Sequence, residues 1–127
     1  MENITNEEYS IDNKLQVVFD METGDPDDFI CLLWLLAHPF IKVKAVTITP
    51  GSLTQVTFVK SQLKELNLDH IEVGAFNIRH TKECVSRWHY NAYKKPAPMS
   101  ADDTNAIREG WQVLLDNCDG MYAVCFF

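Results

Sequence analysis

No Cys-x-x-Cys pair and no histidine–cysteine spacing of the zinc-binding kind occurs in this sequence, although it carries four cysteines, Cys31, Cys84, Cys118 and Cys125. A structural zinc site and a dithiol redox motif are therefore not expected. Cys31 lies in an apolar helix-like run and Cys125 in an apolar strand-like run, where a reduced cysteine acts as a small hydrophobe. A basic stripe is missing as well. Eleven lysines and arginines face 18 acidic residues, for a net charge of -7 and a pI near 4.9. Nucleic acid and anionic membrane both need a basic face, so neither is an expected partner. The longest apolar run, Phe29 to Ala37, is too short to span a bilayer. Residues 1–13 are acidic and polar, unlike a secretory signal, so a cytoplasmic protein is expected. With 127 residues, 46% hydrophobic and 23% charged, the chain has material for one core.

What the sequence does have is acid in one place. Five carboxylates fall within the nine residues Asp20-Met21-Glu22-Thr23-Gly24-Asp25-Pro26-Asp27-Asp28, between a strand-like and a helix-like run. Like charges this close raise one another's pKa unless a cation offsets them. Clustered oxygen donors suit Ca²⁺, with Mg²⁺ as the other hard candidate. Part of the cluster also fits ordinary helix-start chemistry. Asp25 is a possible N-cap, Pro26 suits the first turn, and Asp27 and Asp28 complement the positive end of the helix dipole. Capping leaves Asp20 and Glu22, at the strand end, without a structural task.

Residues 1–13 read as a flexible leader and 14–127 as one α/β domain. Leu15 to Phe19 is a β-prone run ending at the acids. Residues 27–37 are apolar on nearly every face, which predicts a helix covered on most sides and stopped by His38-Pro39. His38 reads as a dipole partner or a packed side chain. Ile41 to Thr49 predicts a second strand, and Pro50-Gly51 a turn into a second helix. Ser52 and Gln55 fit a capping box there, with Leu53, Val56, Val59, Leu63 and Leu66 on the packed face opposite Lys60, Lys64 and Glu65. Ile71 to Val73 is a brief third strand. The irregular stretch 75–99, with Arg79, His80, Arg87, Trp88, His89 and Tyr90, is long enough to expect a functional or mobile loop. Ser100 is expected to cap one helix running through Ile107, Trp111 and Leu114 to about Cys118, and Met121 to Phe127 to form a fourth strand. The chain stops inside that apolar run, so the 14–127 domain is expected to be incomplete. Alternating strands and helices predict right-handed crossovers and a Rossmann-like parallel sheet with helices on both faces. Ligands bind such sheets beyond the carboxyl ends of the strands, where the acids lie.

The segment Val17 to Asp28, together with Thr47-Ile48-Thr49-Pro50-Gly51-Ser52, resembles the inosine/uridine-preferring nucleoside hydrolases. That family opens with an apolar strand, an Asp-x-Asp-Pro-Gly-x-Asp-Asp loop and a helix, and ends its second strand in Thr-x-x-x-Gly-Asn. The resemblance covers residues 14–75 well and the rest loosely. It implies N-glycosidic hydrolysis of a ribonucleoside with bound Ca²⁺, and a homo-oligomer. Asp20, Glu22 and Asp28 take the metal positions, Glu22 also that of the catalytic base. Asp27 and Ser52 take ribose-binding positions. Two departures stand out: Glu22 replaces a shorter aspartate, and one extra residue precedes the closing pair. Family members are also about twice as long and draw an aspartate and a histidine from their carboxyl-terminal half, so the short chain is expected to be weakly active or inactive. Protonation of the leaving base would fall to His80 or His89, chosen because histidine titrates near neutrality.

Two other readings remain open. The site could serve a non-catalytic nucleoside- or cation-binding module, which fits both Glu22 and Ser52. Asp20-Met21-Glu22-Thr23 also resembles the Asp-x-Asp-Thr loop of haloacid-dehalogenase-like phosphatases, whose first aspartate attacks phosphorus. That reading leaves Asp27-Asp28 and the Thr49–Ser52 segment unexplained.

Overall fold

A computed structural model describes residues 14–81 and 95–118. The expected leader, residues 82–94 with His89, and the fourth strand lie outside the described residues. Strand β1 (Leu15–Met21), helix α1 (Asp27–Ala37), strand β2 (Ile41–Ile48), helix α2 (Leu53–Glu65) and strand β3 (Glu72–Ala75) follow one another, then the short helices α3 (Ala101–Asn105) and α4 (Gly110–Asn117). The three strands form a parallel sheet in the order β1-β2-β3. Parallel neighbours need crossovers, and α1 and α2 supply them.

Side chains alternate across each strand, and this alternation divides the core. Val17, Phe19 and Met21 of β1 join Val46 and Ile48 of β2 and the inner residues of α1 and α2 in the larger cluster. Val18 and Ala45 meet Val113 of α4 in a second, smaller one. A register shift between Val17 and Val18 accompanies the change of partner from Val43 to Ala45. The result is a general α/β arrangement, with α4 against β2 and β3.

Close packing of α4 has a local cause. A Cβ at Gly74 would lie 2.7 Å from Val113 Cγ2 and 3.1 Å from Gly110 Cα, so only a glycine in β3 lets this helix approach. Arg108 then ties the same region together by pairing with Glu72 of β3 at 3.1 Å and with Asp116 of α4.

Four expectations need correction. α1 is not covered on most sides: Phe29, Leu32 and Leu35 are buried, but Ile30 and Trp34 are 52% and 59% exposed. Only the stripe at spacing three faces the sheet, whatever the other apolar residues are. Pro26, not Asp25, is the N-cap, and no side chain caps α1. The Asp25 N–H instead donates to Glu22 within the preceding turn. Leu53 and Leu66 are largely exposed, because they stand at the two ends of α2, while Phe58, absent from the expected stripe, is fully buried edge-on to Phe29 at 5.2 Å. Finally, the single helix from Ser100 to Cys118 is two. Ser100 does cap α3, accepting from the Asp103 N–H. The chain then leaves the helix because Arg108 C=O accepts from the Ala75 N–H and Glu109 bridges Ala75, a sheet-edge pairing incompatible with helical hydrogen bonds. His38 behaves as one of its two expected alternatives: its ring packs between Trp34 and Phe40, and its Nδ1 accepts from the Phe40 N–H.

Among the described residues no helix is long and apolar enough to cross a membrane.

Candidate functional site at the carboxyl end of the sheet

Asp20 is the penultimate residue of β1 and, unlike its core neighbours, a buried carboxylate. Alternation sends Phe19 and Met21 into the larger cluster and Asp20 to the other side, beside its partner Thr47 on β2. The Thr47 hydroxyl donates to Asp20 Oδ1 at 2.7 Å, and the Thr49 hydroxyl lies 3.3 Å from both carboxylate oxygens. Burial pushes the Asp20 pKa above the ordinary carboxylate range, the two threonine hydrogen bonds oppose that, and the charge of Asp28 adds to it. Thr47 is fully buried. Both threonines belong to the Thr47–Ser52 segment, and a hydroxyl opposite an acid in adjacent strands is the sequence signal for this role.

The loop after β1 is organised by its own acids. Asp28, in the first turn of α1, accepts the Glu22 N–H on Oδ2 at 2.9 Å. Its pKa is raised, first by burial, then by the charges of Asp27 and Glu22, with the Glu22 backbone hydrogen bond opposing them. The Glu22 carboxylate folds back on its own turn, accepting from the Gly24 N–H at 2.7 Å and the Asp25 N–H at 3.2 Å. Asp27 is exposed.

The second wall is the turn from β2 into α2, where the Thr49-Pro50 peptide is cis. The capping box read from the sequence is present: Ser52 Oγ accepts from the Gln55 N–H, and Gln55 Oε1 accepts from the N–H groups of Ser52 and Gly51. The Gln55 amide nitrogen is buried and has no hydrogen-bond partner among the described residues. Ser52 is itself only 2% exposed, so most of its surface is spent on the cap. Beyond β3, the Asn77 N–H donates to Pro50 C=O at 2.7 Å, and the His80 N–H to Asn77 C=O. His80 is exposed, in a turn tethered to this wall.

The structure thus brings Asp20 and Asp28 to one strand end, with Ser52 on the neighbouring turn. It directs the Glu22 carboxylate into the loop. The donor chemistry is oxygen only, as a hard cation requires. Among the described residues no three His, Cys, Asp or Glu side chains are already grouped to hold a metal ion. Comparison with models of known protein families and with curated proteins gave no match to this chain.

Proposed function

We propose that this chain is a nucleoside hydrolase-like α/β unit whose site, beyond β1 and β2, takes a ribonucleoside. The observation that carries the reading is Asp20: a buried carboxylate with a raised pKa, held by Thr47 and Thr49 at the carboxyl end of parallel strands. Burial of an acid costs stability, and perturbed acids cluster at functional sites, here at the strand ends where parallel sheets bind ligands.

In this reading the exposed carboxylate of Asp27 accepts from ribose hydroxyls, while Ser52, 2% exposed and accepting from Gln55, shapes the turn beside the sugar. Asp20 and Asp28 are the residues that would hold Ca²⁺ or Mg²⁺. A divalent ion supplies charge to gather hydroxyls and to acidify a water. His80 is the described candidate for protonating the departing base, and the resemblance also implies assembly with further copies. The Glu22 oxygens already accept from the Gly24 and Asp25 N–H groups, which aims the carboxylate into the loop and away from an attacking water. That favours a second reading, a module that binds a nucleoside or cation without cleaving it.

Calorimetry with inosine and uridine, in the presence of calcium, tests the reading. Binding that Asp27→Ala weakens at least about tenfold supports it, since a charge-assisted contact is worth about 1.5–3 kcal/mol. Release of free base in the same mixture separates hydrolase from binding module. Absence of binding, with turnover of a phosphate monoester in Mg²⁺, would move the assignment to the phosphatase class.

A further inference from the structure

The Glu22 carboxylate is engaged within its own turn before any ligand is considered. Both of its oxygens accept backbone N–H groups of its own turn, Oε2 from Gly24 at 2.7 Å and Oε1 from Asp25 at 3.2 Å. Its backbone N–H donates to Asp28 Oδ2 at 2.9 Å. One residue therefore closes the turn with its side chain and fastens the first turn of α1 with its main chain. Gly24 completes the fit, because a Cβ there would lie 2.6 Å from Glu22 Oε2.

We infer that Glu22 is a positioning residue, the brace of the 22–28 loop, and not a cation ligand or a base. Turning the carboxylate outward would strip two loop amides of their acceptor and loosen the peptide that orients Asp28. The brace follows from the hydrogen bonds alone; the exclusion of Glu22 from a cation site rests on the reading proposed above.

The test uses the full chain and two independent readouts. Amide exchange followed by NMR reports the brace: Gly24 and Asp25 amides are expected to exchange several-fold faster in Glu22→Ala, and the Asp25 amide likewise in Gly24→Ala, which dislodges the carboxylate without removing it. Unchanged exchange in Glu22→Ala overturns the brace. Calcium titration reports the ligand set: Asp28→Asn is expected to weaken binding at least about tenfold, whereas Glu22→Gln, which keeps length and one acceptor, stays within a few-fold of the parent. A loss in Glu22→Gln equal to that in Asp28→Asn makes Glu22 a ligand and overturns its exclusion. Should the parent chain bind no calcium, the proposed site fails, and the exchange measurement still decides the brace.

Discussion

Asp20 and Asp28 are held at a cost that pH can reveal. Both have raised pKa values, with burial as the first cause. The folded chain therefore binds protons more tightly than the unfolded chain between the ordinary carboxylate value, about 3.9, and the raised ones. Stability falls as pH rises through that window, and the whole penalty is present at neutral pH. With a chelator present, Asp28→Asn is expected to raise the melting temperature at pH 7 and to give no gain below about pH 3.9. Asparagine can still accept the Glu22 N–H, so thermal melts at the two pH values isolate the charge. A melt in which Asp28→Asn lowers stability at pH 7 would mean that the carboxylate is better compensated than its surroundings indicate. At this scale the acids were visible in the sequence, but which were buried was not, since burial depends on the strand to which Thr47 belongs.

At the scale of elements, signals carried by local hydrogen bonds were legible and signals requiring a partner were not. The box formed by Ser52 and Gln55 is local, and it is present as read. Ser52→Ala is expected to cost about 1 kcal/mol, the usual worth of such a cap, measured by urea unfolding. A neutral result would mean that the Gln55 amide holds the turn without the hydroxyl. The 101–117 segment carried an equally helical pattern, yet Ala75 recruits the Arg108 carbonyl and divides it. Gly74 is part of the same event. Replacing it by alanine would force apart α4 and β3, where the added Cβ would sit 2.7 Å from Val113.

At the scale of the molecule, stability rests on the larger of the two core clusters formed among the described residues. Phe58 is completely buried in that cluster, edge-on to Phe29. Phe58→Ala is expected to lose about 3–5 kcal/mol, a large share of the roughly 5–15 kcal/mol available to a domain. Leu115, 68% exposed on α4, should tolerate alanine with little change. Chemical denaturation of the two variants would distinguish them, and equal losses would show that the outer face of α4 is covered in solution.

Strand–helix alternation, the start and stop of α1, the box at α2 and the crowding of acids beyond β1 were determined by the sequence, because each depends on neighbours within a few positions. The tertiary structure decided which apolar face of α1 is buried, where the last helical segment breaks, and what each acid touches. Asp20 meets Thr47 across 27 positions of sequence, through strand pairing that no local pattern encodes. Glu22 could be recognised as an acid at a strand end, but the direction of its carboxylate, into the loop's own amides, depends on how the turn closes against α1.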